Sequence, residues 1–431
     1  MRGLIIVLFM IVSSFAQDNY SKKDIEKMIA KMVVLGFTGT SIDKNSQIYK
    51  DIESGLGGVI LFDKDPNDKT KAKNIESKAQ LKKLNQQLQS INKSKLLISI
   101  DQEGGIVQRL KSEAGFVNTL KASEISQNGE VFAKKSYEAM AKDLSSVGIN
   151  LDFAPVVDLA INKENKVIVT RGRSFGESSQ IVTKYASIFV DELKKEGVIS
   201  TLKHFPGHGS SLADSHLGFV DISKTWDKKE LEPYRYFIKN NKADMIMTAH
   251  VFNENLDKNY PATLSYSVNT KLLRQELGFK GVLITDDLQM SAISKHYDLK
   301  QTLTLAINSG VNLLLFANQL AKPITLKEIV DTVYSQILSE QITLEKIIES
   351  NKKIDLLIQN ENFYKSDILK TYISGIKYNS SVNFSDIENA KQIESELADY
   401  REHILLLKAD ITKPEDRQRI VDETLIAFKE I

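Results

Sequence analysis

The chain has 431 residues, 42% hydrophobic and 26% charged, a globular composition large enough for one big domain with an extension or for two domains. Its 57 Lys and Arg nearly balance 56 Asp and Glu, so no net field draws it to nucleic acid or to an anionic membrane, and an uncharged or locally charged substrate fits better. Cysteine is absent, which excludes disulfides, thiolate zinc sites, cysteine-ligated iron–sulfur clusters and thiol nucleophiles together.

The N-terminus begins with a short basic start at Met1 and Arg2, followed by an apolar run over 4–12 and the small residues Ser14 and Ala16 flanking Phe15. This pattern predicts a secretory signal over 1–16, cleaved after Ala16, and a mature chain that is exported to the periplasm or secreted. The run is well short of the ~20 apolar residues of a spanning helix, so no stable membrane anchor is expected.

Eight short apolar, β-branched runs follow in order: 31–37 (KMVVLGF), 57–62 (GGVILF), 96–101 (LLISID), 150–155 (NLDFAP), 199–204 (ISTLKH), 245–251 (MIMTAHV), 281–286 (GVLITD) and 312–317 (NLLLFA). Amphipathic stretches separate them, such as 71–93, 130–147 and 179–196, where apolar residues recur at three and four. Strands without polar alternation are buried on both faces, and strands alternating with helices run parallel. Eight such units predict an α/β fold, a (β/α)8 TIM barrel over 17–360. A doubly wound open sheet fits the same alternation, but two things favour the barrel. The count closes, and the polar residues fall at one end of the runs: Asp101, Lys203, His204, His250 and Asp286. In a barrel, that end builds the active site.

The densest polar stretch is 203–216, KHFPGHGSSLADSH, which holds three of the six histidines. Gly207 and Gly209 let the backbone turn sharply, and Asp214 stands two residues before His216, where a carboxylate can hold an imidazole and raise its basicity. The pair reads as an acid/base device. A zinc site from His204, His208 and His216 is the competing reading, but the first step crosses Pro206 and Gly207 rather than a helix, the second is eight residues, and no HExxH is present. No metal and no cofactor are expected.

KHFPGHG followed by DSH resembles the signature of glycoside hydrolase family 3 β-N-acetylglucosaminidases, the type that acts on peptidoglycan fragments. Further pieces agree in order: DQEGGIVQRL at 101–110, GRSFGE at 172–177, PATLS at 261–265 and ITDDLQM at 284–290. The resemblance spans about residues 20 to 360. It implies Asp286 as nucleophile, His216 as general acid/base and Asp214 as its orienting partner, with Asp101, Arg109, Arg173, Lys203 and His204 holding the sugar. The expected substrate is an N-acetylglucosamine-containing wall fragment.

The chemistry gives those roles a basis. Glycoside cleavage passes through an oxocarbenium-like state, which needs an anion beneath the anomeric carbon and a proton for the departing oxygen. An imidazole titrates near neutrality, which suits a group that must give and then take a proton. Asp287, pointing away from its neighbour, is expected to support the loop or accept a backbone N–H. Two positions depart from the family pattern: Ile106, where relatives usually carry Arg, and Gly172 ahead of Arg-Ser-Phe.

Residues 361–431 lie beyond the resemblance and read as a charged helical extension, packed on the barrel or serving as a contact for a partner or a second copy. A family 3 β-glucosidase-like enzyme and a non-catalytic sugar-binding relative are the alternative functions.

Overall fold

A computed structural model describes residues 20–359, apart from 93, 213–217, 219, 320 and 321. The predicted signal, the extension over 361–431, and Asp214 and His216 lie outside the described residues.

The eight apolar runs become eight parallel strands: β1 (Val33–Gly36), β2 (Gly58–Leu61), β3 (Leu97–Ile100), β4 (Leu151–Asp152), β5 (Ile199–Phe205), β6 (Met245–Thr248), β7 (Val282–Ile284) and β8 (Leu314–Phe316). Every residue in them is buried, as expected of strands packed on both faces. Neighbours pair in the order β7-β6-β5-β4-β3-β2-β1-β8. A parallel bridge between Ile284 and Leu313 joins the two ends, and the barrel is closed. The helical stretches appear as Lys78–Ser90, Glu130–Ser146 and Ser179–Lys195. Ser77 and Ser178 cap the first and third, each accepting the N–H three residues on. Among the described residues, no helix is long and apolar enough to cross a membrane.

The strands are short, so side chains complete their ladders. Asn150 accepts the Ile98 N–H at 2.8 Å and donates to Leu96 O at 2.9 Å, tying β4 to β3. Asn312 does the same at the closing seam, accepting from Leu283 N at 3.0 Å and donating to Ser350 Oγ at 3.1 Å. Arg274, near the end of the π-helix Ser267–Glu276, donates to Gly281 O, Gly310 O and Asn312 Oδ1. One guanidinium therefore ties the starts of β7 and β8 together.

The β1–β8 contact leaves no room for a side chain at Gly36. A Cβ on Gly36 would lie 1.8 Å from Ala317 O, inside any permitted contact. Gly36→Ala must therefore push β1 from β8, and overpacking of this kind costs about 1–3 kcal/mol. Thermal unfolding followed by circular dichroism should show a clearly lower Tm for the variant. An unchanged Tm would contradict this account of the seam.

Candidate active site

The polar residues at the strand ends meet at the carboxyl end of the barrel. Asp101 follows β3 directly, and the chain then folds into a hairpin, Gln102–Gly104 against Val107–Gln108, that carries Glu103 and is followed by Arg109. Lys203 and His204 end β5, and Arg173 comes from the long loop after β4. Ile106 lies at the hairpin turn and is 59% exposed.

Lys203 Nζ lies 3.0 Å from Asp101 Oδ1 and 2.7 Å from Glu103 Oε1. Arg173 grips Glu103 with two parallel bonds, Nε to Oε2 at 2.8 Å and Nη2 to Oε1 at 2.7 Å, the strongest geometry available to that pair. Arg109 reaches Asp101 at 3.4 Å and lies over the Phe62 ring. Side-chain exposure divides the group into two tiers. Lys203, Glu103 and Arg173 keep 3%, 6% and 10%, whereas Asp101 and Arg109 keep 20% and 24% and present surface to the mouth.

Burial opposes every charge here, and the partners outweigh it. It pushes the Asp101 carboxyl up, but Lys203 and Arg109 hold it below the usual range. Glu103 is likewise buried and is held well below that range by Arg173 and Lys203. Burial lowers Lys203, and Glu103 and Asp101 more than restore it. Asp152, at the end of β4, is the exception. Its Oδ1 accepts only the Gln102 N–H at 2.9 Å, its Oδ2 has no hydrogen-bond partner among the described residues, and burial raises it far above the carboxylate range. Burial thus favours its neutral form inside the barrel.

A second network holds the loop after β5. Asp158 Oδ2 lies 2.8 Å from His204 Nδ1, while Oδ1 accepts the backbone N–H of His204 at 3.1 Å and of His208 at 2.9 Å. Burial would raise Asp158, yet His204 and His208 bring it below its ordinary value. His204 Nε2 lies 3.5 Å from Arg173, which joins the two networks. The His208 ring bonds Ser211 Oγ through Nδ1 at 2.6 Å, and burial depresses it to about 4. It is therefore neutral at pH 7 and has no proton to give as an acid.

Asp286 stands at the same rim beyond β7, half-buried, with Oδ1 accepting the Asp287 N–H at 2.8 Å. Asp287 accepts the N–H groups of Gln289 and Ala317, both at 3.1 Å, as expected for a loop support. His250 is fully engaged in structure, between Thr263 Oγ1 at 2.8 Å and Asp287 O at 2.9 Å.

The structure thus joins Asp101, Arg109, Arg173, Lys203 and His204 by direct contacts and sets Asp286 on the same rim. Three carboxyls that sequence reasoning passed over complete the arrangement: Glu103, Asp152 and Asp158. Glu103 and Asp158 could have been sought two residues after Asp101 and three after Pro155, close behind strand ends. Gly172, with φ of +69°, sits where a Cβ would meet Lys121 and Ser123 side chains at 2.5 and 2.6 Å, so glycine suits that turn.

A family model described as the glycosyl hydrolase family 3 N-terminal domain matches residues 24–355. A beta-hexosaminidase A of Pseudoalteromonas piscicida is 38% identical over 282 residues, 60% of this chain and 45% of its own length. A beta-hexosaminidase of Haemophilus ducreyi (strain 35000HP / ATCC 700724) is 35% identical over 297 residues, 67% of this chain and 81% of its own. The chain thus spans less than half the length of the Pseudoalteromonas relative and about four fifths of the Haemophilus one. Among solved structures, a glycoside hydrolase family 3 beta-N-acetylglucosaminidase from Paenibacillus sp. str. FPU-7 superposes with a TM-score of 0.70 at 32% identity, covering 78% of this chain and 62% of that one. A Beta-N-acetylhexosaminidase from Beutenbergia cavernae DSM 12333 shares the fold at 23% identity, with a TM-score of 0.70 over 78% of this chain and 98% of that one.

The buried ion pairs make a prediction about pH. Glu103→Gln keeps the shape but leaves Arg173 and Lys203 short of an anion, and breaking such a pair costs about 3–5 kcal/mol. Because the folded Glu103 is held below its unfolded value of about 4.3, its contribution is complete above that pH and fades as pH falls below it. Urea titrations should therefore show the full difference between the two proteins at pH 7 and a shrinking one between pH 4 and 3. A difference that stayed constant to pH 3 would contradict the assignment of Glu103 as a buried anion.

Proposed function

Because the chain belongs to glycosyl hydrolase family 3, we propose that it is a retaining β-N-acetylhexosaminidase that removes terminal non-reducing N-acetylglucosamine from peptidoglycan-derived glycosides. The observation that carries this reading is the two-tier rim. Asp101 and Arg109 offer an acceptor and a donor fork to sugar hydroxyls, and the buried Lys203, Glu103 and Arg173 fix them before substrate arrives. Donors and acceptors held rigidly at a dry mouth suit a polyhydroxylated, uncharged ring, and they need little reorganisation to bind it. The name of the Paenibacillus structure, a beta-N-acetylglucosaminidase, supports the N-acetyl preference over a glucosidase, and that of the Haemophilus relative, a beta-hexosaminidase, supports an amino sugar.

In this reading Asp286 attacks the anomeric carbon and forms a glycosyl ester, as the glycosidic oxygen leaves with a proton from His216. Water then gives its proton back to His216 and its oxygen to the anomeric carbon, freeing Asp286 with retained configuration. The Asp287 N–H restrains the Asp286 carboxylate through Oδ1. Asp214 orients the His216 ring and raises its basicity. Lys203 and His204, from the strand end beside the loop that leads to these two, support the sugar together with Arg173.

Asp286→Asn should lower kcat by several orders of magnitude on an aryl N-acetyl-β-glucosaminide, while calorimetry still detects N-acetylglucosamine binding. His216→Ala should slow substrates with poor leaving groups far more than activated aryl glycosides, whose departure needs little proton help. Near-normal turnover by Asp286→Asn would remove the nucleophile assignment, and equal slowing of both substrate types by His216→Ala would remove the acid. Faster turnover of the matching aryl glucoside by the wild type would favour the glucosidase alternative.

The basic start and apolar run over 1–16 support a reading of this segment as a secretory signal, with the activity outside the cytoplasm and close to the wall. Cell fractionation should recover a chain shortened at Ala16 from the periplasm or medium. Full-length protein confined to the cytosol would contradict that placement.

A further inference from the structure

The loop after β5 rests on a carboxyl group that the proposed chemistry does not use. Glu230 belongs to the short 3-10 turn Lys228–Leu231, ahead of the helix Glu232–Lys239. Its run, DKKELE, reads as solvated charge, yet Glu230 is only 1% exposed. Its Oε2 accepts the Gly209 N–H at 2.7 Å. The same side chain fills the space beside Gly207, where a Cβ would lie 2.5 Å from Glu230 Cβ and 2.7 Å from Oε2. Gly207 also has φ of +121°, so any other residue there would meet both strain and the carboxyl.

The rest of the loop is held in the same manner. Trp226 Nε1 donates to Pro206 O at 3.1 Å from the Glu230 side, and Asp158 takes the N–H groups of His204 and His208 from the other. The loop is thus clamped between two carboxyls through its backbone, and from Gly209 the sequence runs on within seven residues to Asp214 and His216.

We propose that Glu230 is a positioning residue for glycoside cleavage, its carboxyl wedged beneath Gly207 and Gly209 to set the path along which the chain delivers Asp214 and His216. The inference rests on the reading of those two residues as the acid/base pair. The groups facing Glu230 are the Gly209 N–H and the Ser210 N–H and hydroxyl of the loop, Asp158, and Tyr234 on the following helix. Burial above all, with Asp158 adding to it and hydrogen bonds from Ser210 and Gly209 opposing it, pushes the Glu230 carboxyl up to about 8. At neutral pH the wedge is an uncharged acid. Above pH 8 it becomes a second anion in the pocket of Asp158, and the clamp loosens.

The test compares Glu230→Gln, which keeps an acceptor for Gly209 and cannot ionise, with Glu230→Ala, which removes the wedge. An alkyl N-acetyl-β-glucosaminide with a poor leaving group is the substrate, because its cleavage depends on His216, and the two proteins are compared so that the titration of His216 itself cancels. Wild-type kcat should fall about tenfold further than that of Glu230→Gln by pH 9, the consequence of a group that must stay protonated near 8. Glu230→Gln should match the wild type at pH 7. Glu230→Ala should lose at least about tenfold in kcat at pH 7 with KM changed less than about twofold. An alkaline fall in Glu230→Gln equal to that of the wild type overturns the inference, as does unchanged kcat in a Glu230→Ala protein with native circular dichroism. If Glu230→Ala does not fold, the Glu230→Gln profile decides alone. Failure of the underlying acid/base reading is seen separately, as indifference of His216→Ala to the leaving group, and it overturns both.

Discussion

An ammonium group stripped of water at the mouth of an apolar barrel is intolerable unless anions surround it, and Lys203 imposes that condition on everything near it. With 3% of its side chain exposed, it needs both Asp101 and Glu103. Asp101 and Glu103 together set two negative charges against that one lysine, so Glu103, equally buried, needs the bidentate Arg173. Arg173 in turn lies against His204, and His204 is fixed by Asp158. Each group is tolerable only because the next is present. The chain of dependence runs from the β3 hairpin through the β4 loop to the end of β5. A mouth built this way is rigid before any ligand arrives, which is what selective binding of a many-hydroxyl ring requires.

The same constraint explains why carboxyls a few residues apart have opposite states. Lys203 and Arg109 outweigh burial and hold Asp101 down, whereas Asp152 receives a single N–H and burial raises it. Asp158 is charged within a nest of histidine and backbone donors, while Glu230, beyond the same loop, is not. Adjacent Asp286 and Asp287 divide along another line. One stays half-buried at the rim, and the other turns inward to hold the N–H groups of Gln289 and Ala317. For Asp101 and Asp158 the neighbouring cationic and imidazole groups outweigh burial, whereas for Asp152 and Glu230 burial outweighs the hydrogen bonds they receive.

Much of this was legible in the sequence. The eight strands could be read because parallel strands buried on both faces leave unbroken apolar runs, and every run predicted became a strand. Asp101, Lys203, His204 and Asp286 could be read because they interrupt those runs at the same end. Glu103 and Asp158 carried only the weak signal of lying just behind strand ends, and Glu230 carried none, because what makes them important is burial, and burial is a property of the surrounding chain. Glu230 sits in DKKELE, a string that local pattern assigns to a solvated face, and only the approach of Gly207 and Gly209 from the β5 loop encloses it. His208 shows the reverse error. A histidine in a histidine-rich loop invites a catalytic or metal role, but its ring is buried, neutral and bonded to Ser211.

KHFPGHG is therefore best understood as one half of a set of contacts. Lys203 meets Asp101 and Glu103, the His204 ring meets Asp158, Pro206 offers its carbonyl to Trp226, Gly207 makes room for Glu230, and the His208 N–H goes to Asp158. Gly209 completes the series: a Cβ there would lie 1.8 Å from Leu159 O, so the loop can pass the β4 segment only as glycine. Four of these seven residues are defined by what the rest of the protein places against their backbone or their missing side chain. A motif of this kind constrains the chain on both sides of it, since each partner must sit at a fixed distance for the loop to follow its path. A substitution at Asp158, Leu159 or Glu230, none of them inside the motif, would act on the loop as directly as one within it.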